Sequence, residues 1–374
     1  MIPLSRPNIT ESEIKLVNRA LRSDQLSNGP LLKEFEAKLA TVAGTKYAIA
    51  VSSGTAALHL ILLALGIKPG DEVITTPYSF IASANCILYV GATPVFCDIA
   101  PGEFNIDPAA IEAKLTPRTK AILIVHVFGF PARMDAIAAI ADRYGLPVIE
   151  DACEAIGAKW NGKPLGGFGN AGTFAFYPNK QITTGEGGAV VTDSAELAGL
   201  ARSLANQGRA PGDAWLCHQH LGYNYRLPEL SAALGVAQLD RLPEILAARA
   251  QVARWYAAEL GQEPLITLPG SALIPRAEAS WFVYVVRFRE PRLREIVARH
   301  LAGLGIETRP YFSPIHLQPY YRNRFGYSEG AFPIAESAGA TGLALPFYTR
   351  ISRDEVKEVC DGVKSALSLP ESGS

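Results

Sequence analysis

An acidic residue, Asp151, closes the apolar stretch Pro147-Val-Ile-Glu-Asp151, and Lys180 follows the next apolar stretch, Thr173–Tyr177, across Pro178 and Asn179. Ligands of open α/β sheets lie outside the carboxyl ends of the strands, so both side chains are expected to face one crevice. A third stretch, Tyr47–Val51, runs into Ser52-Ser-Gly54-Thr55, a turn of small residues that opens a helix-like segment. Backbone N–H groups at such a turn can hold a phosphate, and Thr55 adds a hydroxyl donor. Taken singly, each feature has an ordinary structural use: Asp151 as a helix cap, Lys180 as a solvated loop residue, Ser-Gly-Thr as a plain turn. Taken together they offer an amine for a carbonyl carbon, a carboxylate for a protonated ring nitrogen, and a phosphate anchor. Those are the three attachments that pyridoxal 5'-phosphate requires. Lys180 would hold that cofactor as a Schiff base, with Asp151 partnering its ring nitrogen.

The elements that must position these groups follow from hydrophobic pattern. Strands are expected at Tyr47–Val51, Glu72–Thr75, Pro94–Asp98, Ala121–Val125, Pro147–Glu150, Thr173–Tyr177 and Gly188–Thr192. Several are apolar at every position, as strands buried on both faces are, and helix-like stretches separate most of them. The pattern predicts an α/β fold, with a large domain over residues 1–245 built on a mainly parallel central sheet flanked by helices. Thr10-Glu-Ser-Glu13 reads as a capping box, and the stretch from Pro228 to Glu259 as helix leading out of that domain. Residues 246–374, with a strand at Trp281–Phe288 and helices at Pro291–Leu304 and from Ser352 to about Leu367, read as a smaller α+β domain. The polar tail Pro370–Ser374 is expected to fray.

Composition narrows the task. Lys and Arg number 35 against 36 Asp and Glu, with no basic run, so neither nucleic acid nor a membrane surface has an electrostatic footprint. The amino terminus turns polar at once, and the apolar run from Ala57 to Leu65 is too short to span a bilayer; a cytoplasmic protein is expected. Five scattered cysteines show neither disulfide nor zinc spacing, so reduced thiols and no metal are expected. Gly167-Phe-Gly169-Asn-Ala-Gly172 matches a dinucleotide fingerprint, but a strand comes after it where a helix should begin. A tight turn is the better reading. His126, after its apolar strand, is expected to support the core.

The motifs Ser27-Asn-Gly-Pro30, Ser53-Gly-Thr55, Ser79-Phe80-Ile-Ala-Ser-Ala-Asn85, Glu150-Asp151, Lys180 with Gly185-Glu-Gly-Gly188, and Gly222-Tyr-Asn224-Tyr-Arg226 together resemble the DegT/DnrJ/EryC1/StrS sugar aminotransferases over nearly the whole chain. The resemblance implies the aspartate-aminotransferase-like fold of pyridoxal-phosphate enzymes (fold type I). It implies that Gly54 and Thr55 hold the phosphate, that Phe80 stacks on the ring, and that Asn224 reaches the cofactor of a neighbouring subunit in a homodimer whose active sites are shared. Glu154 falls near the phenolic oxygen, where many relatives carry glutamine, and Ala175 stands where many carry serine. Asn28, Tyr311 and His316 are the candidate substrate-facing residues. The implied reaction moves an amino group from an amino-acid donor, glutamate, to a nucleotide-linked keto-sugar, and the loop Thr308–Tyr321 resembles the branch acting on 4-keto-6-deoxyhexoses. Amination of a cyclitol, formation of an aminohydroxybenzoate, and a non-catalytic regulatory protein that binds the cofactor stay open as alternatives.

Overall fold

The computed structural model describes residues 1–209, 212, 214, 216–270 and 276–368. The tail Pro370–Ser374 lies outside the described residues. Seven strands form the central sheet: β1 (Tyr47–Val51), β2 (Glu72–Thr75), β3 (Thr93–Phe96), β4 (Thr119–Val125), β5 (Val148–Asp151), β6 (Ala171–Ala175) and β7 (Gly188–Thr192). Their order across the sheet is β1-β7-β6-β5-β4-β2-β3. All run the same way except β7, which pairs antiparallel with both β1 and β6. Six of the seven residues of β4 are buried, which is what a parallel strand covered by helices on both faces requires.

The main shifts from the expected boundaries have local causes. The sixth strand lies two residues earlier than its apolar pattern suggests, because pairing with β5 begins at Ala171 and Gly172. The long helical stretch after Pro228 divides into Glu229–Asp240 and Leu242–Leu260; Pro243 sits in the first turn of the second, where it has no N–H to continue the first. The strand expected from Trp281 starts at Tyr284, because Ser280 and Phe282 donate their N–H groups to Gly129 and Phe128 instead of to the sheet.

The helix Pro30–Ala43 begins on a carboxylate from elsewhere in the chain. Glu229 accepts from the N–H groups of Gly29 (2.8 Å), Leu31 (3.0 Å) and Leu32 (2.9 Å), satisfying donors that a helix start leaves unpaired. A Cβ at position 29 would lie 2.7 Å from Glu229 Cδ, so any larger residue would push the carboxylate off these donors. The capping box also forms: the Thr10 N–H donates to Glu13 at 2.7 Å, and Gln238 and Arg241 each reach the other oxygen of Glu13 at 2.8 Å. These bonds outweigh burial and hold the Glu13 carboxyl down at about 2.

Three antiparallel strands, Ile266–Thr267, Tyr284–Phe288 and Gly342–Leu345, make a second sheet in the later part of the chain. The helices Pro291–Gly303 and Arg353–Ser368 and the second half of Leu242–Leu260 share its core with Ile2. The opening residues therefore pack on the late part: Ile2 donates to Gly305 and Phe347 donates to Leu4. A two-domain division at residue 245 stays a proposal, with one continuous helix crossing it.

The glycine cluster after β5 is built around an internal anion. Gly166, Phe168 and Gly169 donate their N–H groups to the Glu150 carboxylate at 2.8, 2.6 and 2.8 Å. A Cβ at Gly169 would lie 2.4 Å from the Val148 carbonyl oxygen. His126 takes an N–H from Ala132 on Nδ1 (3.1 Å), which leaves the proton on Nε2 to donate to Glu150 at 3.1 Å. His126 thus supports the core, and β6 follows the cluster directly.

Candidate active site

The carboxyl ends of β1, β5 and β6 open into a cavity of about 630 Å³. Asp151 is the last residue of β5, and its pleat turns the side chain away from the neighbouring Glu150 and toward this cavity. Its Oδ2 accepts from the Ser83 hydroxyl at 2.7 Å and its Oδ1 from the Cys153 N–H at 3.2 Å, so the carboxylate is buried but fixed. Lys180 projects into the same space from the loop after β6. Its Nζ lies 3.5 Å from Glu154 Oε1 and 3.9 Å from the centre of the Phe282 ring.

At the end of β1, Ser53 caps the helix Gly54–Ala64 by accepting the Ala56 N–H. The turn is closed from two sides. A Cβ on Gly54 would sit 2.7 Å from Cys153 Sγ and 2.8 Å from Ala175 Cβ, and one on Gly188 would sit 2.3 Å from the Ser53 carbonyl carbon. Glycine at both places is what brings an N–H-bearing turn into the crevice. Thr55, Phe80, Glu154 and Tyr311 also line it, with Phe80 61 % exposed at the mouth. Glu154 Oε2 accepts from the Phe128 N–H at 2.8 Å; burial raises its carboxyl above the ordinary range, while the Lys180 charge pulls the other way. Burial likewise raises the Tyr311 hydroxyl.

Three candidates stand elsewhere. His316 is fully buried, 2.9 Å from Glu336 Oε1 through Nε2, with its ring against Phe332, and is not among the residues lining the cavity, so a substrate role for it stays a proposal. The short turn Ile315–Leu317 points inward because the Ile315 N–H donates to the Pro77 carbonyl. Asn28 lines a separate cavity of about 260 Å³ beside Arg202, Arg209 and Arg226. Asn224 is exposed, on a segment whose backbone bridges to Asn206. Neither lines the crevice of its own chain, so a substrate role for Asn28 and a role for Asn224 toward a neighbouring subunit stay proposals.

Sequence reasoning gave no role to Ser83 or Phe282. Ser83 stands in the first turn of the helix Ala82–Tyr89, within the motif Ser79–Asn85, and that polar position was its one signal. Phe282 carried no signal, since it approaches Lys180 from the second sheet's entrance, about a hundred residues away in the chain.

The residues present fit a phosphorylated aromatic aldehyde. One amine and one carboxylate face each other across a cavity of suitable size, and a close-packed glycine turn flanks them. The Ala175 methyl stands where the family resemblance leads one to expect a hydroxyl, so of the donors proposed for the phosphate the backbone N–H groups and Thr55 remain.

The model of the DegT/DnrJ/EryC1/StrS aminotransferase family matches residues 7–364. The chain belongs to this family. Among this aminotransferase's relatives, the GDP-perosamine synthase of Caulobacter vibrioides is 42 % identical over 372 residues, covering 98 % of each chain. The solved structure of S. venezuelae DesV, in complex with a ketimine intermediate, superposes with a TM-score of 0.90 at 37 % identity, covering 96 % of this chain and 95 % of that one. The sugar aminotransferase Spr1654 of Streptococcus pneumoniae, described as putative and solved in its PMP form, superposes with a TM-score of 0.93 at 28 % identity, covering 98 % and 99 %.

Proposed function

We propose that this aminotransferase uses pyridoxal phosphate to move an amino group from glutamate to a nucleotide-linked 4-keto-6-deoxyhexose, working as a homodimer whose active sites are shared between subunits. The observation that carries the reading is that Lys180, on the loop after β6, and Asp151, at the end of the adjacent β5, line one crevice walled by the Gly54 turn. The match to GDP-perosamine synthase along 98 % of both chains supports the sugar class.

When bound, pyridoxal phosphate supplies an aldehyde for the donor's amino group and a ring that accepts the electron pair released at the donor's α-carbon. Lys180 Nζ is the covalent anchor. Once free, it takes the proton from the donor's α-carbon in one half-reaction and delivers a proton to the sugar carbon in the other. Asp151, held by the Ser83 hydroxyl, keeps a proton on the ring nitrogen opposite. The Gly54–Thr55 turn binds the phosphate, and Phe80 covers one face of the ring. Tyr311, with Asn179 beside its hydroxyl, forms the wall on the sugar side.

Borohydride reduction of the cofactor-loaded enzyme followed by peptide mapping should leave a pyridoxyl group on Lys180 and on no other lysine. Incubation with glutamate and a panel of ketones, including nucleotide-linked 4-keto-6-deoxyhexoses, a keto-cyclitol and a keto-acid, should aminate the sugar. Amination of the cyclitol alone would overturn the substrate class.

A further inference from the structure

The Lys180 amine rests against two groups that act on it only when it is charged. A carboxylate oxygen, Glu154 Oε1, stands 3.5 Å away, and the face of the Phe282 ring lies 3.9 Å from Nζ to its centre. An aromatic face and an anion both attract an ammonium group and offer little to a neutral amine.

Both groups are held from behind. Glu154 Oε2 accepts from the Phe128 N–H at 2.8 Å, and the Glu154 carbonyl accepts from the Gln181 amide at 2.6 Å. Phe282 donates its own N–H to the Phe128 carbonyl at 3.1 Å. One buried guanidinium, Arg249, donates to the carbonyls of Trp281 (2.8 Å) and Phe282 (2.6 Å) and lies 4.9 Å from the Phe347 ring centre. Among the described residues no carboxylate pairs with Arg249. Its role is to brace the chain at Trp281, which turns through a left-handed φ of 55° to aim the next ring at the lysine. The Phe128 segment thus ties the carboxylate and the ring into one unit. Besides Lys180, the groups that bear on Glu154 are the Asp151 carboxylate, the Cys153 thiol and the Tyr78 and Tyr311 hydroxyls.

We propose that Glu154 and Phe282 form a resting seat for the Lys180 ammonium group, which the side chain must leave before its amine can become covalently engaged. The proposal rests on Lys180 being the covalent anchor. The seat competes with covalent attachment, because only the neutral amine attacks a carbonyl carbon. Weakening the seat therefore frees the amine sooner.

The test follows attachment of pyridoxal phosphate to cofactor-stripped protein by visible absorbance in stopped flow, with borohydride trapping and peptide mapping of the product. At pH 7.5, Phe282→Leu and Glu154→Gln are each expected to attach the cofactor about fivefold faster than the parent, the factor that about 1 kcal/mol of lost cation contact gives. Phe282→Tyr, which keeps the ring face, should retain the parent rate. The gain should shrink as pH is raised through and beyond the ordinary lysine range, since a neutral amine loses nothing with the seat. Parent-like rates in both the Leu and Gln variants, with the pyridoxyl group on Lys180, would overturn the seat alone, as would a gain that stays the same at every pH. If Phe282→Leu fails to fold, Phe282→Met takes its place, since Glu154→Gln also changes the group placed near the cofactor's phenolic oxygen. A parent protein carrying no pyridoxyl group on Lys180 would overturn the anchor assignment and the seat with it.

Discussion

Gly54→Ala adds one methyl group to the turn proposed to bind phosphate, and the surroundings fix its effect. The new Cβ would meet Cys153 Sγ at 2.7 Å and Ala175 Cβ at 2.8 Å, where ordinary contact begins at 3.4 Å. The turn or its neighbours must therefore yield by 0.6–0.7 Å in two directions (3.4 − 2.8 and 3.4 − 2.7). The thiol can rotate, but Ala175 Cβ is fixed by the backbone of β6. Overpacking of this kind costs about 1–3 kcal/mol, which for a chain of this length lowers Tm by about 1–4 °C. The loss should appear more sharply in cofactor affinity, because the N–H groups that must converge on one phosphate are the ones displaced. Removal of about 1–2 kcal/mol there weakens binding by about 5- to 30-fold. Titrating stripped protein with pyridoxal phosphate by fluorescence quenching measures this, and Cys153→Ala in the same chain should restore part of the affinity by making room on one side. Parent-like affinity in the single variant would refute the assignment of this turn as the phosphate anchor.

Ser83→Ala should leave thermal stability nearly unchanged while lowering turnover about tenfold, because Asp151 loses the hydroxyl that orients it, worth about 1.5 kcal/mol for a bond to a charged group; steady-state kinetics beside a melting curve checks both. Glu229→Ala strands three buried N–H donors at the start of the helix Pro30–Ala43 and should cost about 2–4 kcal/mol in urea unfolding, with Glu229→Gln recovering part of it. Glu13 is a pH probe. Its folded-state carboxyl is depressed to about 2, so its contribution is present above the unfolded carboxylate range near 4.3 and is lost as pH falls toward about 2. Glu13→Gln should therefore flatten the decline in stability between those limits, as read by urea midpoints at successive pH values.

Most of the sheet and the centre of the crevice were legible because they depend on chain-local signals. The strand ends carrying Asp151 and Lys180 are marked by apolar runs that stop at polar or proline residues, and ligand position in α/β sheets follows from strand direction alone. The burial of His316 was not legible because its partner, Glu336, belongs to the helix Pro333–Thr341, and no local pattern announces a carboxylate that draws a loop histidine inward. The entry of the strand before Tyr284 was unreadable for a similar reason. Its first residues bond to the Phe128–Gly129 segment, a contact that only the assembled fold defines. The strand pattern after Gly172 is enough to reject the glycine cluster as a dinucleotide site, yet the cluster's purpose, wrapping the carboxylate of Glu150, needed coordinates.

Glu150 and Asp151 are consecutive, and the alternation of a strand sends them to opposite sides of the sheet. One is sealed under three amide donors and an imidazole; the other opens on the cavity. Exchange at the two positions therefore has unequal consequences: exchanging the cavity-facing acid frees two donors, the Ser83 hydroxyl and the Cys153 N–H, and alters what the crevice can hold, whereas exchanging the sealed one leaves four donors without an acceptor. A mutational survey that scored folding across this pair would find the heavier loss at the sealed position.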